Sequence, residues 1–240
     1  MIESRKLVSM NIAIPSPGPG ASYAQLKARR DAVEALAAAR KRDVETVVTK
    51  ALSSGRLSAI DSVKQMARAK IEAIRERVKI IKQLYGTNPK GMAKALAQIF
   101  KELKSAVQSF REANKQSMDA TGEGVRAALS EDEQAAAQAE SEAGPPPKSL
   151  YDETIQAARE QLGRDGFEFI DTVRGLAKAL TDLLETARTQ ARARKRDDET
   201  DKTFEDADTA FKDLNEQLDG MSEEILRAAP AAGMRVSIAA

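Results

Sequence analysis

The chain has 240 residues, of which 42% are hydrophobic and 4% aromatic, a composition that suits long helices with narrow seams better than a thick globular core. It contains no cysteine and no histidine, which excludes disulfides, zinc-thiolate sites and any proton carrier with an unperturbed pKa near neutrality. The net charge of +1 conceals two opposed halves: residues 1–116 hold 23 Lys and Arg against 10 Asp and Glu, net +13, and residues 117–240 hold 15 against 27, net −12.

Residues 1–22 lack helical periodicity and read as a flexible N-terminal segment. Glu3, Arg5 and Lys6 stand where a signal peptide would be apolar, and Pro15, Pro17 and Pro19 interrupt the uncharged run that follows. Neither a secretory signal nor a membrane span is expected, so the protein reads as soluble and cytoplasmic. Met10, Ile12 and Ile14 alternate as a short strand would, as do Met234, Val236 and Ile238 in the tail over 230–240, although short terminal stretches are more often unstructured.

A first helix is expected from Tyr23 to Ser53. Its stripe of Leu26, Val33, Leu36, Val44, Val47 and Ala51 is interrupted by Arg40, and Gly55 ends it. A helical hairpin over 57–117 then organises the chain. Its first arm places Ala67, Ile71, Ile74, Val78, Ile81 and Tyr85 on one face; its second answers with Met92, Leu96, Ile99, Leu103, Val107 and Phe110. Gly86 is expected to end the first arm in the left-handed conformation, with Asn88 capping the second and Pro89 opening it. Together with the first helix, the hairpin forms a basic three-helix unit over 23–117.

From Met118 the apolar pattern dissolves into glycines, an acidic alanine-rich run and Gly144-Pro-Pro-Pro147, so 118–148 reads as a disordered interdomain linker. An acidic helical unit over 149–229 follows. Ser149 is its expected cap, Asp152 and Glu153 favour its first turn, and Gly163 and Gly166 weaken the helix before a stronger stripe from Phe167 to Ala187. Arg188 to Lys202 holds no large apolar residue and is either an extending helix or an exposed hinge. Phe204, Ala207, Phe211, Leu214, Leu218, Met221 and Ile225 then recur at alternating steps of three and four, the cleanest candidate association seam in the chain, although Gly220 lies within it.

Motifs for chemistry are weak. Gly86 and Gly91 have the glycine spacing of a phosphate loop, but Met92 and Ala93 replace the required Lys and Ser or Thr, and a helix precedes them instead of a strand. Asp197 to Asp201 lacks the sixth-position glycine and twelfth-position glutamate of a calcium loop and reads as a solvated charge run. Two echoes, Gly91 to Leu96 in Gly175 to Leu180 and Ala39 to Thr46 in Ala193 to Thr200, differ in offset and share no repeat register.

The basic residues of the hairpin are more informative. Lys64, Arg68, Arg75, Lys79 and Lys82 share one side of the first arm, and Lys90, Lys94, Lys101, Lys104, Arg111 and Lys115 share one side of the second. They form a candidate face for acidic helices of the same protein or a second copy, for an anionic membrane, or for a nucleic-acid backbone. The expectation is therefore an all-α protein of long antiparallel helices with no cofactor and no small-molecule substrate. It would act as a non-enzymatic scaffold or interaction protein through coiled-coil association with itself or another helical protein. The alternatives are a membrane-surface or exported effector whose basic hairpin is masked by the acidic half, and a charge-driven nucleic-acid binder.

Overall fold

The protein is all-α. The computed structural model describes residues 23–53, 55–129, 150–193 and 198–228, which form five helices: α1 Tyr23–Leu52, α2 Gly55–Leu84, α3 Pro89–Ala128, α4 Leu150–Ala193 and α5 Asp198–Ala228. The expected strands at both termini, the proline-rich stretches and the Ser149 cap lie outside the described residues. The chain divides into two compact units between Asp43 and Val44, inside α1. In the first unit, Val33 and Leu36 of α1 are exposed and Arg30 pairs with Glu34 one turn on.

In the second unit α3 packs against α2, α4 and α5, while α4 and α5 pack on each other and α2 touches α4 lightly. α2 and α3 are antiparallel, since Arg77 reaches Glu102 and Arg56 reaches Glu123. α4 is antiparallel to α3, with Phe169 stacked on Phe110 and Tyr151 beside Gly122. α5 returns parallel to α3, so Phe211 meets Phe100 and Asp213 meets Lys104.

This arrangement follows from the distribution of apolar residues on α3. Met92, Leu96, Ile99, Leu103, Val107 and Phe110 are buried as the spacing implies, but so are Ala93, Ala97 and Phe100 on one flank of that stripe and Ala106 and Ala113 on the other. A helix apolar over roughly 200° of its circumference needs neighbours on more than one side. The α2 stripe, with Ala67, Ile71, Ile74 and Ile81, covers one of them. Leu176, Leu180 and Leu184 of α4, with Leu214, Leu218 and Met221 of α5, join the same core, so helices from the basic and acidic halves share one interior.

Four local expectations are corrected. Gly86 does not adopt the left-handed conformation. The turn is made instead by Asn88, whose side chain accepts from the Gly91 amide at 2.9 Å, with Pro89 opening α3. The linker does not begin at Met118, because α3 continues to Ala128 with Ser117, Met118, Thr121, Gly124 and Val125 buried. Ser117 and Thr121 each donate to the carbonyl one turn back, at 3.0 and 2.8 Å, so their hydroxyls enter the interior already satisfied. Lys50 closes the far end by donating to the Ala128 carbonyl.

The third correction concerns α4, which runs unbroken through Gly163 and Gly166. A Cβ on Gly166 would lie 2.5 Å from Ile225 Cδ1 and 3.2 Å from Asn114 Nδ2, so the glycine allows three helices to approach one another rather than ending one. The fourth concerns the basic three-helix unit over 23–117. The boundary between compact units falls within α1, and α2 and α3 share their core with α4 and α5.

One shared core implies one unfolding event. Ile74→Ala and Leu214→Ala, on opposite sides of the expected linker, should each lower stability by roughly 2–5 kcal/mol through a cavity, whereas exposed Glu76→Ala should change it by less than about 0.5 kcal/mol. Calorimetry should show a single transition that moves as a whole for both core variants, and two separable transitions would contradict the shared interior.

Candidate functional site

Of the hairpin's eleven basic residues, Lys64 is buried and the other ten divide into three groups. Arg68, Lys90, Lys104 and Arg111 are ion-paired to α4 and α5, through Asp165, Glu199, Asp213 and Glu224. Arg75 and Lys79 pair within α2, to Glu72 and Glu76, and remain exposed. Lys82, Lys94, Lys101 and Lys115 are exposed, and the first three make no ion pair among the described residues. The residues expected to form one basic face are thus divided between an internal contact and open surface.

The internal contact is a ladder with a register. Lys90 and Lys104 are fourteen residues apart on α3, and their partners Glu199 and Asp213 are fourteen apart on parallel α5. The next rung brings Arg111 opposite Gly220, where its guanidinium lies 3.5 Å or more from the place a Cβ would occupy. From there it donates to Gln217 on one side and, through two nitrogens, to both oxygens of Glu224 on the other. That bidentate hydrogen bond, rather than charge alone, pulls the Glu224 carboxyl below the usual range, aided by Lys115 and Arg227 nearby. Each rung is partly solvated, with Lys104 at 31% and Asp213 at 43% side-chain exposure, so its individual contribution is modest and the repeat mainly sets alignment.

The candidate association seam of α5 faces the same way. Phe204, Ala207, Leu214, Leu218, Met221 and Ile225 are buried, and Phe211 is partly buried against Phe100. The seam is covered by α3 and α4 of its own chain. Arg188 of α4 lies over the Phe204 ring at 5.4 Å while donating to Glu185 and Asp208.

Lys64 is corrected from a surface cation to a buried one, 1% exposed. Leu57, Ile60, Lys64, Ala67 and Ile71 recur at helical spacing, so position 64 belongs to the buried stripe. Its ammonium donates to Asn114 Oδ1 at 2.8 Å and lies 5.7 Å from the centre of the Phe110 ring. Arg68, 5.4 Å from the same ring, bonds Asp165. The Phe110 and Phe169 rings stack 3.9 Å apart beneath this cluster. The apolar run from Ala67 onward leaves Lys64 beside the stripe, whereas its continuation back through Ile60 and Leu57 takes Lys64 in. An amide in a seam, such as Asn114, carries no sequence signal of burial.

Burial lowers the Lys64 pKa from 10.5 to about 8, against the opposing pull of Asp165 and Asp61. The chain matches no known family model, no curated protein and no solved structure. No helix among the described residues is long and apolar enough to cross a membrane.

The depressed pKa makes stability depend on pH in a definite direction. Below pH 8, Lys64 is charged in both states and the burial penalty is present in full. Between about 8 and 10.5 the native lysine has lost its proton while the unfolded one keeps it, so the penalty is relieved as pH rises. The stability of the natural protein relative to Lys64→Met should therefore rise by about 3 kcal/mol across that window, since each pKa unit carries about 1.4 kcal/mol. Paired chemical denaturation of the two proteins at pH 7 and pH 10.5 measures it, and a constant difference would refute the assignment.

Proposed function

We propose that this protein is a non-enzymatic helical scaffold or interaction protein that works by presenting helix faces to other helices. The observation that carries the reading is the ladder of Lys90, Lys104 and Arg111 on Glu199, Asp213 and Glu224, which aligns a basic helix with an acidic one over more than five turns. The charge asymmetry of the sequence is in this way used for helix alignment inside one chain. The buried Lys64 has a structural partner in Asn114, and the absence of histidine and cysteine from the sequence further favours a binding role over a reaction. Because the α5 seam is already covered within the chain, association with another protein uses a different face.

A second reading, a membrane-surface effector or nucleic-acid binder whose basic hairpin is masked, is favoured by the same ion pairs. They occupy four of the eleven cations, while Lys82, Lys94, Lys101 and Lys115 stay exposed. The two readings part in a binding measurement on the intact chain and on Asp213→Asn combined with Glu224→Gln, which releases Lys104 and Arg111. With anionic vesicles and with duplex DNA, both readings expect weak binding by the unaltered protein. The scaffold reading expects the double variant to stay weak, whereas masking expects it to bind several-fold more tightly, with a steeper salt dependence as more counterions are displaced. Tight, salt-sensitive binding by the unaltered protein would contradict both and point to an open membrane or nucleic-acid surface.

A further inference from the structure

α2 carries a second stripe besides the one it buries. Val63, Met66, Lys70, Ala73, Arg77, Ile80 and Leu84 recur at alternating steps of three and four, and all seven are exposed. On an α-helix this line lies roughly 100° around from Ala67, Ile71 and Ile74. It holds Val63, Met66, Ile80 and Leu84, four of the seven large hydrophobic side chains that are exposed among the described residues, at 37, 58, 52 and 69%. Scattered apolar surface residues need no explanation, but collecting most of them on one heptad line does. The line spans about 32 Å at 1.5 Å per residue, the length of a three-heptad contact.

We propose that this stripe is a docking face for an acidic amphipathic helix of another protein, apolar at both ends of its seam and carrying carboxylates at two central seam positions seven residues apart. The proposal rests on the interaction-protein reading above and names the partner's chemistry. Charge complementarity identifies the partner. The two apolar ends are separated by Lys70 and Arg77, with Ala73 between them to let a partner backbone approach. Lys70 makes no ion pair among the described residues, whereas both Glu102 oxygens accept from Arg77 at 2.8 Å, which leaves the centre of the stripe with one net positive charge. A groove of about 220 Å³ opens there between α2 and α3, lined by Lys70, Ala73, Ile74, Arg77, Glu102 and Ser105.

A second copy fits this centre badly. Parallel pairing sets Lys70 on Lys70, and antiparallel pairing about Ala73 brings each Lys70 to an Arg77 whose charge Glu102 already balances. Neither offers Lys70 an unengaged carboxylate, which a different helix would supply.

The test uses the full chain and two synthetic three-heptad helical peptides with leucine at the outer seam positions. One has glutamate at the two central seam positions and the other has lysine there. Fluorescence anisotropy should give the glutamate peptide a Kd at least tenfold lower than the lysine peptide. Met66→Asp with Ile80→Asp should abolish binding while leaving the melting temperature unchanged, since both side chains are exposed. Lys70→Glu, which makes the net central charge negative, should reverse the preference between peptides. Equal binding of the two peptides, binding of neither, or binding that survives Met66→Asp with Ile80→Asp would overturn the proposal. Concentration-dependent dimerisation lost in that double variant would instead assign the face to a second copy, and preferential binding of anionic vesicles would assign it to a membrane; either also overturns it. Failure with both peptides leaves the scaffold reading standing, because that reading is tested by the Asp213 and Glu224 variants.

Discussion

The fold depends on how much of α3 must be hidden from water. A surface helix needs one neighbour beneath its single apolar stripe, but α3 buries Leu96, Ile99, Phe100, Leu103, Ala106, Val107 and Phe110 at 1% exposure or less, and with buried Ala93, Ala97 and Ala113 on its flanks the hidden arc widens to roughly 200° of the circumference. At about 25 cal/mol per Å² of apolar surface, leaving even one of those faces open would cost several kcal/mol, comparable to the net stability of a domain. Three helices are therefore recruited to α3. Those after it in sequence come from the acidic half, which is why the two oppositely charged halves end in one core.

Where the apolar surfaces leave freedom, polar groups choose the register. Lys90 with Glu199 and Lys104 with Asp213 repeat at the same interval on two parallel helices, so sliding α5 by one turn would break both pairs at once. At the junction of α2, α3 and α4, Lys64 and Asn114 are hydrogen-bonded to each other inside the interior. Such a pair adds little net stability and costs much to break, so it penalises misaligned packings more than it strengthens the native one.

Much of this was legible in the sequence, for reasons that particular residues make plain. The seams of α2, α3 and α5 were readable because Ile, Leu and Phe recur at helical spacing, and the Asn88-Pro89 start of α3 because a capping side chain and a missing amide carry a local signal. The last turns of α3 were not, because Asn114, Ser117, Thr121 and Gly124 fill the seam with small or polar residues whose hydrogen bonds are made inside the helix or to Lys64. The continuity of α4 through Gly166 was hidden for a related reason: a glycine that admits Ile225 from another helix has the same letter as one that ends its own. The basic face was visible as a pattern of charge, but its division into paired and exposed cations depends on which helices pack beside it, and periodicity does not specify partners.

α3 is one continuous helix, enclosed by helices from both halves of the chain. Hydrogen exchange of the intact protein measures this residue by residue, because amides inside a cooperative core exchange only through global unfolding. Leu96 to Val125 should form the slowest-exchanging segment, with Ser117 to Val125 protected nearly as strongly as Leu103 to Phe110 and with α4 and α5 opening together with them. Rapid exchange from Met118 onward, or loss of the α4 and α5 amides well before those of α2 and α3, would contradict it.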